Sequence, residues 1–185
     1  MISATDLRKG ITFELDGDLY RVLEYQHSYI GRGSANVRVK LRNLRSGRTM
    51  ERNFGTSDKF QEVRLEMRQV QFLYQDGDLY YFMDTETYEQ PALPSDVLGD
   101  RVDYLKDGLI MSISMHEGEP VEIELPVTVD LEVIHTDPGV KGDTATGATK
   151  RATLETGLNV QVPLFIEEGD IVRVDTRTGE YVTRL

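Results

Sequence analysis

The sequence predicts an all-β protein made of several small barrels, and three observations carry that expectation. Apolar and polar residues alternate along most of the 185 residues, the period that turns one face of a strand to a core and the other to water. Turn pairs interrupt the alternation at short intervals: Asp16-Gly17, Ser46-Gly47, Asp76-Gly77, Glu117-Gly118, Glu168-Gly169 and Thr178-Gly179. Asp16-Gly17-Asp18-Leu19-Tyr20 recurs sixty residues later as Asp76-Gly77-Asp78-Leu79-Tyr80, a spacing that suits a five-stranded barrel. Asp-Gly hairpins commonly precede aromatic strands, so the echo reads equally as a repeat or as a frequent turn. Three units of that size fill the chain. Each buries a small core, so contacts between units contribute to stability.

The elements follow in order. Leu19 to Tyr25 reads as a strand, and Val37-Arg38-Val39-Lys40-Leu41-Arg42 alternates with period two. Phe72-Leu73-Tyr74, Leu79 to Met83, Leu109 to Ile113, Val121 to Leu125 and Val127 to Val133 continue the series. Ile171 to Val174 and Glu180 to Thr183 close it. One helix is predicted, over Ser95 to Lys106, with Ser95 as its cap and Val97, Leu98, Val102 and Leu105 as its apolar stripe. Gly108 lies just past its end.

Composition excludes several classes. The chain has no cysteine, hence no disulfide framework and no thiolate chemistry. Its longest apolar runs are far shorter than the ~20 residues that span a bilayer. The start, Met1 to Asp6, lacks a basic segment followed by an apolar stretch, which predicts no secretory leader and a cytoplasmic chain without a membrane partner. The net charge of −11 argues, as one number, against nucleic acid.

The distribution of charge reverses that argument. Residues 1–64 hold 12 Lys/Arg against 8 Asp/Glu, residues 65–127 hold 3 against 14, and residues 128–185 hold 6 against 10. Domain boundaries are expected at 64/65 and 127/128, where the balance shifts. From Arg32 to Arg52 seven bases (Arg32, Arg38, Lys40, Arg42, Arg45, Arg48 and Arg52) meet one acid, Glu51. Gly31 and Gly33 flank Arg32, with Ser34 following. Two glycines around one arginine predict a tight tip that projects a cation able to fork onto phosphate or stack on a base. Arg38, Lys40 and Arg42 share one face of the next strand, away from Val37, Val39 and Leu41. The pattern predicts a cationic stripe leading from a cationic tip, suited to an RNA backbone.

Catalytic patterns are missing. His27, His116 and His135 are isolated, and no metal-ligand spacing, nucleophile elbow or phosphate loop occurs. Glu122 and Glu124 alternate with Val121, Ile123 and Leu125 as the wet face of a strand does. The chain is therefore not expected to be an enzyme, and neither a metal nor a cofactor is expected. The long segment from His135 to Lys150 is rich in Gly, Thr and Ala. Loops of this length are usually functional or disordered, and its amides and hydroxyls suit phosphate or ribose.

In the last third, Lys150, Ala152, Gly157, Val160, Val162-Pro163, Ile166 and Gly169 stand at the spacing of a family signature. Asp175-Thr176-Arg177-Thr178-Gly179-Glu180-Tyr181, Pro138 to Thr144 and Phe82-Met83-Asp84 match as well. On these residues the whole chain resembles the elongation factor P family. The resemblance implies an L-shaped protein of three barrels, an SH3-like (KOW-type) domain over 1–64 and OB-folds over 65–127 and 128–185. It implies a monomeric translation elongation factor that binds the ribosome beside peptidyl-tRNA and relieves stalling at consecutive prolines. The tRNA- and rRNA-binding residues would be Gly31, Arg32, Gly33, Ser34, Arg38, Lys40 and Arg42, with Gly142, Asp143 and Thr144 near the small subunit. Many members lysylate a tip lysine, which Arg32 excludes here. One branch rhamnosylates a tip arginine, which implies a glycosyltransferase partner. That branch has Asn where this chain has Gly33, and the rhamnosylated and unmodified forms of Arg32 both stay open. The rival readings are a KOW/OB protein that binds RNA without acting on the ribosome and an enzyme using the acidic middle third.

Overall fold

Alternating residues become strands wherever a core accepts every second side chain, and this chain is strands almost throughout. The computed structural model describes residues 1–28, 35–139 and 147–185. The first sheet contains β1 (Ile2–Ser3), β2 (Thr12–Leu15), β3 (Asp18–Ser28), β4 (Asn36–Asn43), β5 (Thr49–Gly55) and β6 (Lys59–Glu62), in the order β1-β6-β2-β3-β4-β5. The second contains β7 (Glu66–Asp76), β8 (Leu79–Asp84), β9 (Ala92–Pro94), β10 (Ile110–His116) and β11 (Glu119–Glu124), in the order β11-β10-β7-β8-β9. The third contains β12 (Thr128–Thr136), β13 (Thr149–Leu154), β14 (Asn159–Pro163), β15 (Ile171–Asp175) and β16 (Tyr181–Arg184), in the order β14-β13-β12-β15-β16. The all-β class is as expected.

By compactness the described residues form two units. One is Met1–Met67 with Ile113–Glu122, and the other is Arg68–Ser112 with Ile123–Leu185. The core of the first unit gathers Leu7, Phe13, Val22, Val37, Val39 and Leu41. Phe13 meets Phe60 at 4.8 Å and Phe54 edge-on at 6.3 Å. A second small core in this unit joins Leu19, Leu44 and Val63 to Val121 of β11. Beside it Arg21 grips Glu122 with two guanidinium nitrogens, at 3.0 and 2.8 Å.

In the second unit, polar bonds tie the third sheet together and join it to the segment that follows β9. Arg173 holds both oxygens of Asp130 at 2.7 and 3.1 Å, and Lys106 Nζ donates to the Asp130 carbonyl at 2.6 Å. The Thr156 hydroxyl donates to the Asp103 carbonyl and that of Thr176 to the Pro126 carbonyl, both at 2.5 Å. Arg173, donating to Asp130 and lying beside it, holds that carboxyl below its ordinary range.

Two sequence expectations change. The helix over Ser95–Lys106 is instead one α-helical turn, Ser95–Leu98, followed by a 3-10 segment, Gly99–Tyr104. Gly99 sits at φ 58, ψ −138, outside the helical region, and ends the first turn. The cap position is Pro94, which makes no side-chain cap bond, and Ser95 is the first residue of the turn. The repeated pentapeptide also folds in two registers. In the first hairpin Leu15 pairs with Asp18, so Asp16-Gly17 is the loop and both residues have positive φ, the sign pattern of a type I′ turn. In the second Asp76 pairs with Leu79, so Gly77-Asp78 is the loop and only Gly77 has positive φ, as in type II′. One residue of offset reverses the faces. Leu19 is 5% exposed and Leu79 39%, while Tyr80 takes the buried place.

Asp84 is the buried carboxylate of the second sheet, 4% exposed. Its Oδ1 accepts the amides of Glu86 and Thr87 at 2.8 and 3.0 Å and so shapes the turn after β8. The Thr87 and Glu86 amides, and then the charge of Arg68, hold its pKa below the ordinary value.

Removing the ring of Phe13 leaves a cavity under the first sheet. Phe13→Ala is expected to destabilise by about 3–5 kcal/mol, read as a lower urea midpoint by circular dichroism. For Asp84 the folded pKa lies below the unfolded value of about 3.9. Its carboxylate therefore contributes stability above that pH, lost as pH falls through the folded pKa. Asp84→Asn is expected to be less stable than the parent at pH 6, with a difference that shrinks towards pH 2. Equal urea midpoints for the two proteins at pH 6 would contradict this role.

Candidate nucleic-acid interface

β3 and β4 build the longest hairpin of the first unit and present its cations. They pair from Tyr20↔Asn43 to Ser28↔Asn36. The connecting tip, with Gly31, Arg32, Gly33 and Ser34, lies outside the described residues. β4 alternates as its sequence requires. Val37, Val39 and Leu41 are buried, Arg38 and Arg42 are exposed, and Lys40 is half-buried. Arg38, Lys40 and Arg42 therefore share one face.

The neighbouring strands place acids on that same face. Lys40 pairs with Glu24 of β3 on one side and Glu51 of β5 on the other. Arg38 donates to Glu51, and both side chains remain 56% exposed. The bond from Arg38, its charge beside the carboxylate and the charge of Lys40 hold Glu51 below the usual range. A cleft of about 150 Å³ lies among Glu24, Gln26, Arg38, Lys40 and Glu51. Arg42 pairs with Arg21 and Thr49. Arg21 is already bound to Glu122. Arg52 lies 3.8 Å from Asp16, and Arg45 4.0 Å from Glu119. Arg42 and Arg48 form no ion pair among the described residues. The face is thus a graded one, neutralised near Arg38 and Lys40 and uncompensated at Arg42.

Sequence reasoning counted Glu51 but missed Glu24 as a partner of this face, and Asp16 and Glu119 as partners of Arg52 and Arg45. Glu24 comes from the neighbouring strand by cross-strand register, and the other two from a hairpin turn and a distant strand.

Described residues before and after the second candidate segment line a polar cavity. Gly142, Asp143 and Thr144 lie outside the described residues. On either side of that segment, Asp137, Pro138, Gly139, Thr149, Lys150 and Arg151 line a cavity of about 390 Å³. Lys150 and Arg151 were not singled out as contacts by sequence reasoning. Two adjacent bases closing a long Gly/Thr/Ala segment were the available signal.

The described residues contain no group of three or more His, Cys, Asp or Glu placed to hold a metal. None of their helices is long and apolar enough to cross a membrane. The described interface offers guanidinium and ammonium groups on a rigid hairpin, chemistry that binds and positions anions.

Comparison with known proteins agrees with this architecture. Residues 3–60 match the elongation factor P (EF-P) KOW-like domain, residues 65–123 the EF-P OB domain, and residues 129–184 the elongation factor P C-terminal domain. Elongation factor P of Moorella thermoacetica is 54% identical over 184 residues, and that of Acetivibrio thermocellus 52% over 185, covering 100% of both chains in each case. Among solved structures, initiation factor 5A from Methanococcus jannaschii is similar at a TM-score of 0.52 and 25% identity, covering 67% of this chain and 93% of that one. A Naegleria fowleri initiation factor 5A family protein, at 17% identity and a TM-score of 0.53 over 67% of this chain and 96% of its own, shares the fold. With three domain matches along its length and relatives half identical over all of it, this chain belongs to the elongation factor P family, translation factors rather than enzymes.

Proposed function

We propose that this translation factor binds the ribosome beside peptidyl-tRNA and promotes peptide-bond formation at consecutive prolines by holding the tRNA acceptor end. In this reading three domains, 1–64, 65–127 and 128–185, divide the work in the cytoplasm, and the protein acts as a monomer. The observation that supports it is the β3–β4 hairpin of a family translation factor, which carries Arg38, Lys40 and Arg42 on one face towards the segment holding Arg32.

Proline is a poor nucleophile, and a proline-rich nascent chain resists the reactive pose. Holding the acceptor end lowers the entropic part of the barrier without acid-base chemistry. Arg32, with Gly31, Gly33 and Ser34 around it, contacts the acceptor end by forking onto phosphate or stacking on a base. Arg42 meets the backbone as an uncompensated cation. Arg38 and Lys40 meet it only in exchange with Glu51 and Glu24, which favours one docked geometry over indiscriminate binding. Gly142, Asp143 and Thr144 act near the small subunit. The acidic residues of 65–127 repel RNA elsewhere. An arginine glycosyltransferase is a partner if Arg32 carries rhamnose. The intact mass of protein from its native host distinguishes the forms by one deoxyhexose.

In translation of a triple-proline message in vitro, the parent is expected to relieve stalling and Arg32→Ala to lose most of that relief, at least tenfold in rate. Full relief by the variant would refute the tip contact. Salt dependence tests the face. Arg42→Ala is expected to reduce the slope of log affinity for tRNA-loaded ribosomes against log salt by about 0.7–0.9, the loss of one phosphate contact. Arg38→Ala is expected to change the slope less, because it also frees Glu51 to repel phosphate.

A further inference from the structure

The second unit holds a groove of about 400 Å³ that the proposed function leaves unused. Phe72, Tyr74 and Tyr80 give it aromatic surface, and Asp103, Asp107 and Glu155 give it carboxylates. No Lys or Arg lines it. Lys106, the base nearest in sequence to both aspartates, donates instead to the Asp130 carbonyl at 2.6 Å. None of the three acids forms an ion pair among the described residues. Glu155 accepts the Glu132 amide at 2.9 Å, which orients its carboxylate without neutralising it.

Two tyrosines make this more than a group of acids. A bulge places Tyr74. Val70 and Phe72 are buried, and plain alternation would bury residue 74 as well. The β7–β8 register shifts between Phe72 and Tyr74, so Tyr74 pairs with Tyr81. Such bulges re-aim a side chain. The Tyr74 ring stacks on Tyr81 at 4.7 Å and 17° and stays half exposed. Tyr80 is the opposite case, 9% exposed. Its hydroxyl has no hydrogen-bond partner among the described residues, although every fully enclosed side-chain nitrogen or oxygen among them has one. The Tyr80 oxygen is therefore not sealed, and the residue lines this groove. A phenol oxygen in that position can donate to and accept from a ligand.

We propose that the groove binds an arginine side chain carried by a basic segment of a protein partner. A guanidinium is planar and always charged, and it presents five donors in a fixed fork. One face can lie on Tyr74 while the donors reach the carboxylates and the Tyr80 oxygen. Nucleic acid is disfavoured because its phosphates would meet three unpaired carboxylates. A metal ion is disfavoured because the described acids form no group of three close enough to ligate one. The negative field reaches beyond the groove, where burial and the charges of Asp103, Asp100 and Asp175 raise the pKa of Tyr104. The proposal does not depend on the tRNA reading and stands if that reading fails.

The test is titration of the full chain, followed by amide NMR shifts, with a blocked Gly-Arg-Gly-Arg-Gly peptide, its lysine counterpart and spermidine. The arginine peptide is expected to shift amides clustered at Tyr74, Asp103 and Glu155, and to bind at least threefold more tightly than the lysine peptide. Asp103→Asn with Asp107→Asn is expected to weaken it at least fivefold. This variant keeps the Asp103 carbonyl that Thr156 bonds, so its melting temperature reports whether the fold is intact. Tyr74→Ala, a second and exposed variant, is expected to lose the preference for arginine over lysine. Scattered shifts, unchanged affinity in a folded double variant, an arginine preference that survives loss of Tyr74, or spermidine shifting the same amides with equal affinity would each overturn the proposal.

Discussion

Val37, Val39 and Leu41 are at most 1% exposed, and their burial over Phe13, Phe54 and Phe60 sets the register of the whole first sheet. A slip of one residue along β4 would turn Arg38, Lys40 and Arg42 into that core and these apolar side chains into water. Burying unpaired guanidinium groups is far costlier than any gain available from the surface. Folding and cation display are therefore the same event on this strand. The stability of the hydrophobic face fixes where each charge points, and the two long strands carry that alignment to the ends of the tip segment.

The charges so displayed are not a uniform positive surface. Glu24 and Glu51 flank Lys40, Glu51 also accepts Arg38, and Asp16 lies near Arg52. Exposed pairs of this kind add little to stability. Their effect is on what can bind, since a phosphate must compete with a carboxylate at Arg38 and Lys40 but not at Arg42. Arg21 is withdrawn further, its fork occupied by Glu122 beside the small core of Leu19, Leu44, Val63 and Val121. The bases of this unit thus serve two ends, a few free cations and an internal anchor at Arg21.

The second unit solves a different electrostatic problem. Its excess acids have few bases to meet. Asp130 is held by Arg173 and Asp84 by turn amides, and these carboxylates support the fold. Asp103, Asp107 and Glu155 meet no base among the described residues and stand around aromatic surface instead. The acidity that made the net charge a poor guide to RNA binding is therefore concentrated where a cation, not a phosphate, is the complementary ligand.

Much of this was legible in the residues. Period-two alternation located the strands, and on β4 it named every inward and outward side chain correctly, because the pleat leaves no other option. Long-range signature spacing pointed to the family. Purely local signals went astray where neighbours decide. The Ser95–Lys106 stripe looked helical, but Gly99 breaks the turn and the later residues wind as a 3-10 segment. The repeated Asp-Gly-Asp-Leu-Tyr read equally as a repeat or a frequent turn, with Asp-Gly as the turn pair in both copies, yet strand pairing selects Asp16-Gly17 as one loop and Gly77-Asp78 as the other. By itself the sequence determined the all-β class, the alternation of β4 and the uneven distribution of charge, since these depend on residue type and order alone. Tertiary structure alone decided which acid meets which base and how Tyr74 comes to share a groove with Asp103 and Glu155, because cross-strand register and bulges join residues that lie tens of positions apart.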